Sequence, residues 1–348
     1  MKIESSANSN AVATFGPIKI AGVIYVDEPD NNPEIERWGV GTSQDVRWTM
    51  DGPIPSLKLE YSLNGGIDWE IPAISDSIVG SLLMKNWSIG ASVPVSPNVV
   101  IRFSDTDAQS GTPAVISPVF KIVGSFTVAV PTQVGSPAGE VIVVQNGQIT
   151  PAIPNATVSW TTAGNVPFVD VYYSTTGNVG DWTKINGAAI ADGGSGGSLS
   201  WAVPDVISTT MRIRVQDNAD VDTNDDSSLF TVRAGLKLTS PIGGEKWGVS
   251  GGVPAALKTI SWQTNGTLGL VNLEYSVGGG WIPIGVNPQA NAGSVAWDVP
   301  NNLSSTVKVR VMNGGAGPAV QSISPADFKI MARFDVTQPD GGETALAG

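Results

Sequence analysis

One block of sequence is written three times, and that repetition limits the chain to folds built from like units. The third copy runs Ile260-Ser261-Trp262, then Val271-Asn272-Leu273-Glu274-Tyr275-Ser276, then a glycine turn and Trp281. The second is Val158-Ser159-Trp160, Val169-Asp170-Val171-Tyr172-Tyr173-Ser174 and Trp182. The first is Val46-Arg47-Trp48, Leu57-Lys58-Leu59-Glu60-Tyr61-Ser62 and Trp69. Trp48, Trp160 and Trp262 are spaced 112 and then 102 residues, and Tyr61, Tyr173 and Tyr275 keep the same step. Trp87, Trp201 and Trp297 recur in register, and Phe120, Phe230 and Phe328 close the copies.

Within each copy the side chains alternate. Val271, Leu273 and Tyr275 share one face, and Asn272, Glu274 and Ser276 share the other. A period of two is that of a strand with one buried face. A unit of roughly 100 residues with about seven such strands has the size and rhythm of an immunoglobulin-like sandwich. The expected fold is therefore all-β: three tandem immunoglobulin-like β-sandwiches plus the first strand of a fourth unit. Residues 1–16 read as an N-terminal extension, 17–123, 124–234 and 235–332 as the three domains, and 333–348 as the further strand. The recurring Trp and Tyr residues are the expected core anchors. Each copy also predicts a third strand opening on the Trp after the glycine turn. The junctions around Gly124 and Ala234 are a few residues long, too short for flexible tethers, so a stiff end-to-end rod is expected.

Composition excludes several kinds of chemistry. The chain has no Cys and no His, so disulfides, thiol nucleophiles and the usual general base are absent. A net charge of −12 disfavours nucleic acid as a partner. No stretch of about 18 apolar residues is present, so no membrane-spanning helix is expected. Met1-Lys2-Ile3-Glu4-Ser5-Ser6 lacks the apolar centre of a signal peptide.

The run Ser240-Pro241-Ile242-Gly243-Gly244-Glu245-Lys246-Trp247, with Glu274-Tyr275-Ser276 and Trp297-Asp298-Val299-Pro300, resembles tandem immunoglobulin-like repeats of prokaryotic cell-surface proteins. Those repeats are similar to the N-terminal domain of the yeast cell-wall KNH family. The resemblance covers most of 235–332. The second domain departs from it at Gly139-Glu140-Val141, where the Trp is missing, and the first replaces the glycine turn with an acidic loop over 27–36. The resemblance implies secretion and a structural or adhesive role. It does not imply catalysis.

Four features suggest chemistry. The loop Asp217-Asn218-Ala219-Asp220-Val221-Asp222-Thr223-Asn224-Asp225-Asp226 offers closely spaced hard oxygens, and Asp217, Asp220, Asp222, Asn224 and Asp226 are candidate Ca²⁺ ligands. The bland alternative is a solvated acidic loop. Asp27, Glu28 and Asp30 form a second, weaker candidate. Trp38 and Trp247, near loops, are candidates for stacking on a cell-wall glycan, against the alternative of core packing. Ser62-Leu63-Asn64-Gly65-Gly66-Ile67-Asp68-Trp69 resembles the Asp-box of sialidases, but it recurs once per sandwich-sized unit. A propeller blade needs a shorter period, so a tight turn whose Trp packs the sheet is expected instead. The triplets at Asn86, Asn155, Asn265 and Asn302 fit the glycosylation sequon, which is common by chance.

On the polar faces, Glu60 is expected opposite Arg102 and Glu274 opposite Arg310. Tyr172 is expected against Arg214 as a cation–π partner. The function expected is an extracellular spacer or building block, not an enzyme. Its expected partners are other copies or neighbouring repeats; the strand with Phe334 and Val336 either links copies by strand addition or marks the chain as a fragment of a longer array. A wall-anchoring module and an accessory region of a secreted enzyme are the alternatives.

Overall fold

The computed structural model describes residues 2–14, 19–134, 141–145, 147–178 and 180–334. Apart from two short 3₁₀ turns, its regular elements are all strands. Lys2–Ser5 and Asn8–Thr14 pair with each other as a hairpin. The strands after it fall into three groups of two sheets.

In the first group Val23–Glu28, Ser43–Asp51 and Met84–Ser88 form one sheet. The other sheet has the spatial order Arg37–Gly39, Phe120–Val123, Ser96–Asp105, Ser56–Ser62, Ser75–Val79. Arg37–Gly39 pairs in parallel with Phe120–Val123, whereas the long strands pair antiparallel. The second group repeats this with Val141–Val143 parallel to Phe230–Arg233, and the third with Lys246–Gly248 parallel to Phe328–Met331. In each group the chain's opening segment thus joins one sheet and then crosses to the other. That is the wiring of an immunoglobulin-like sandwich. The chain is a tandem array of three.

Each sandwich has its own core. Trp48, Trp160 and Trp262 are buried, one in each hydrophobic cluster. A buried indole N–H needs an acceptor. Gly80 O serves Trp48, Asp192 serves Trp160 and Asn291 serves Trp262. The second Trp stacks against the recurring Tyr at ring separations of 4.8, 5.6 and 5.1 Å.

The polar faces follow the expected register. Glu60 lies opposite Arg102, Glu274 opposite Arg310 and Tyr172 opposite Arg214. Arg102 donates to Glu60 at 2.6 Å and Arg310 to Glu274 at 2.7 Å. The aromatic partner of Arg214, however, is Trp182 rather than Tyr172, with the guanidinium 4.3 Å from the ring centre. Trp69 and Trp281 cover Arg102 and Arg310 in the same way. The Trp of the glycine hairpin is therefore a lid over a strand Arg, and not a core anchor. The hairpin itself is a tight turn, with Ser62 Oγ accepting from the Gly66 N–H.

Thr183–Lys184 and Ile282–Pro283 follow Trp182 and Trp281 directly, but no strand follows Trp69 until Ser75–Val79. There Pro72, which has no N–H to pair, interrupts the ladder after Glu70.

Candidate functional site

The residues that stand out are at the two places where sandwiches meet. A single residue, Gly124, separates Phe120–Val123 from Ser125–Val128, and a single residue, Ala234, separates Phe230–Arg233 from Gly235–Ser240. Linkers this short force the domain ends into contact, so the end surfaces must fit.

At the first joint the fit is ionic. Arg37, beside Lys121 on the parallel pair of strands, reaches across to the acidic loop of the second domain. Its guanidinium donates to Asp220 at 2.7 and 3.2 Å and to the Thr223 hydroxyl at 2.6 Å. Lys121 Nζ lies 3.3 Å from Asp220, and Asp222 lies 3.6 Å from Arg37. Burial pushes the Asp220 carboxyl up, but hydrogen bonds from Arg37 and Thr223 and the Arg37 charge outweigh it. The net result holds the group at about 2. Val95 packs against the second domain's core as well as its own. Gly164, at φ +89°, presses on Val40 and Gly124: a Cβ there would be 2.7 Å from a Val40 methyl.

The second joint is clamped by an amide. Asn265 is 1% exposed, although it belongs to the third domain's Lys258–Asn265 strand. Its Oδ1 accepts from the Ile149 N–H at 2.9 Å. Its Nδ2 donates to Val144 O at 3.2 Å and Gln145 O at 3.0 Å. One side chain thereby satisfies three backbone groups of the neighbouring domain. Gln148 N–H donates to Thr264 O, and Asp205 accepts from the Thr267 N–H and hydroxyl. Lys237 donates to Thr150 O, and Arg233 to Ala319 O at 3.4 Å.

The acidic loop expected to bind Ca²⁺ thus spends Asp220 and Asp222 on cations of the first domain. Asp217 is buried and accepts from the Ala219 N–H, and Asn224 donates to Val221 O. Asp220 and Asp222 face Arg37, and Asp226 pairs with Arg214 at 2.7 Å. Among the described residues these acids do not bring three carboxylates together. Among the described residues Glu28, Asp30 and Glu36 do, with oxygens within 4.8 Å of one another. That group keeps two of the three expected acids. Asp27 points elsewhere, towards the Thr49 hydroxyl. Burial, then a hydrogen bond with Glu36, then the charges of Glu36 and Asp30 raise Glu28 to about 7, against the pull of Arg47.

Trp38 and Trp247, expected as glycan-stacking candidates, lie in the cores instead. They are 4% and 8% exposed and lie against Phe120 and Phe328 at 4.4 and 4.9 Å. Their strands run beside the buried closing strands, which turns both rings inward and leaves no face for a sugar. Asn265, buried and fully engaged, is no glycosylation acceptor in the folded chain. Phe334 is exposed, and Val336 lies outside the described residues.

No family model and no curated protein matches the chain. Solved structures do match. A three-domain I-band fragment of titin, I67–I69, aligns over 90% of this chain and 100% of its own at 8% identity and a TM-score of 0.26. The four N-terminal immunoglobulin domains of Dscam1 cover 89% of this chain and 73% of theirs, at 11% identity and 0.24. Chicken CNTN1 domains FN1–FN3 cover 87% and 98%, at 13% and 0.23. All are multi-domain arrays. At these scores the sheet wiring described above carries the fold assignment.

Proposed function

We propose that the chain is a stiff extracellular spacer, a building block of a surface layer, filament or adhesin stalk, with a mechanical and not a catalytic role. One observation carries this: each one-residue linker is backed by side chains that bond across the joint, Arg37 to Asp220 and Asn265 to the 144–149 segment. A tether would need neither. Hinge motion at such a joint must break those bonds, so the domains move as one column. The surface-protein resemblance at 240–247 supports the extracellular setting.

The test is the separation of probes on the first and third domains. The chain has no cysteine, so Ser77→Cys and Ser228→Cys set a fixed point on the first and second domains, and Pro283→Cys one on the third. Narrow distance distributions between pairs of these sites are expected from electron–electron resonance or energy transfer. Broad distributions would defeat the spacer reading. Linkage by the strand beginning at Phe334 is a separate proposal, tested by deleting 333–348.

A further inference from the structure

The first sandwich departs from the other two in two places, and both departures open the same cleft. In the second and third domains the chain after the hairpin Trp stays close to the strand that carries the recurring Tyr. Ile185 N–H donates to Val171 O and Ile284 N–H to Leu273 O, both at 2.8 Å. The two Ile side chains pack on their cores. In the first domain the residue three places after the Trp is Pro72, which cannot make that bond. The chain bows outward instead. Ile71 is 94% exposed, and pairing resumes only at Ser75, opposite Leu59.

The second departure is on the facing edge. Met84–Ser88 is the outer strand of its sheet. Lys85 lies opposite the buried Val46 and so points to the inner face. The matching strands carry Leu199 opposite Val158 and Val295 opposite Ile260. Leu199 and Val295 pack on their cores, where an unpaired ammonium would be costly. The two changes leave a cleft of about 600 Å³ between the 70–74 segment and the Met84–Ser88 strand. Tyr61, Glu70, Pro72, Lys85 and Trp87 help to line it.

The floor of the cleft is aromatic, with the Tyr61 and Trp87 ring centres 4.8 Å apart. Tyr275, the matching residue of the third domain, is 5% exposed, and its hydroxyl accepts from Asn302 at 2.7 Å. Tyr61 is half-buried, and among the described residues no side chain caps its hydroxyl. Burial and then the Glu70 charge raise the Tyr61 phenol, which puts that carboxylate near the ring. Neither the Glu70 nor the Lys85 side chain has a hydrogen-bond or ion-pair partner among the described residues. An inward lysine on an edge strand also deters pairing with another sheet. That role requires neither the cleft nor an aromatic floor with an unpaired carboxylate.

We propose that this cleft of the first domain binds a neutral saccharide. The C–H face of a sugar ring rests on Tyr61 and the accessible edge of Trp87, while its hydroxyls donate to Glu70 and accept from Lys85 and the Tyr61 hydroxyl. A hydroxyl is both donor and acceptor, so a sugar answers an anion and a cation without carrying either charge. An acidic glycan would also have to approach a chain of net charge −12. The inference goes beyond the spacer reading, because a stiff and a flexible chain can hold this ligand equally well.

The test is calorimetric titration of the full chain with cellotetraose, xylotetraose, mannotetraose, maltotetraose and N-acetylchitotetraose, and with trigalacturonate as the acidic comparison. At least one neutral oligosaccharide should bind. Glu70→Gln and Lys85→Leu should each weaken that binding by about tenfold or more, as expected when a hydrogen bond to a charged group is lost. Tyr61→Phe should weaken it severalfold. Lys85→Leu installs the residue that the second domain carries at this place, so its thermal midpoint should equal or exceed the parent's. That variant therefore separates lost binding from lost folding. Absence of binding to every neutral probe would overturn the proposal, as would affinity that survives both Glu70→Gln and Lys85→Leu. Binding of trigalacturonate alone would overturn the neutral class. Any of these results leaves the probe distances, and with them the spacer reading, to be decided separately.

Discussion

Asn265 shows how much a single side chain can do at a joint. Replacing it with Ala removes the partners of Ile149 N–H, Val144 O and Gln145 O together. Stranding a buried polar group costs about 1–3 kcal/mol. We expect Asn265→Ala to lower the stability of the second and third domains by that order, with new proteolytic cleavage in 144–149. Chemical denaturation with mass mapping of fragments checks it, and unchanged protection would refute the clamp. Little of this was legible beforehand. In sequence Asn265 is part of a sequon-like triplet, and its three partners lie about 120 residues upstream. The core anchors were legible because alternation ties Trp48, Trp160 and Trp262 to one face. Trp38 and Trp247 were not, since a strand of three residues is too short for alternation to declare a face.

Elements show the same division. The long strands and the pairs Glu60–Arg102 and Glu274–Arg310 could be read from period and register alone. The place of each hairpin Trp could not, because it depends on how the turn folds back over the strand. Arg214 needs both the Trp182 face and the Asp226 carboxylate, at 4.3 and 2.7 Å. Arg214→Lys keeps the charge but loses the planar fork, so a loss of about 1 kcal/mol in the second domain is expected from denaturation midpoints. Where the Val23–Glu28 strand ends, Glu28 faces Glu36 and Asp30 and is raised to about 7. A carboxyl raised above its unfolded value favours the folded state while protonated. That advantage is complete below the unfolded value near 4.5 and is lost as pH rises through about 7. Glu28→Gln should therefore stabilise the first domain above pH 7, by roughly 1–3 kcal/mol, relative to its effect at pH 4. Thermal melts at the two pH values decide it. An equal effect at both would mean that the three acids do not share charge.

For the molecule as a whole, the two joints use different chemistry and should answer differently to solvent. The first depends on Asp220, held at about 2 by Arg37 and its neighbours. A depressed carboxyl contributes stability above its unfolded value near 3.8, and that contribution is lost as pH falls towards 2. The Arg37 and Asp220 side chains are 28% and 19% exposed, so mobile ions reach the pair and screening weakens it in part. No ion pair crosses the second joint among the described residues. There an amide and a hydroxyl, with the charged groups of Lys237, Arg233 and Asp205, bond only to neutral partners, contacts on which salt has less purchase than on an ion pair. Raising salt from about 0.05 to 0.5 M shortens the Debye length from roughly 14 to 4 Å. The distance distribution across the first joint should broaden, and that across the second should stay narrow. Arg37→Met should broaden the first at low salt and remove its salt response. Probes at Ser77 and Ser228 for the first joint, and at Ser228 and Pro283 for the second, give the comparison in one labelling scheme. Equal salt responses at both joints would show that the ionic latch does not set the angle between the first two domains.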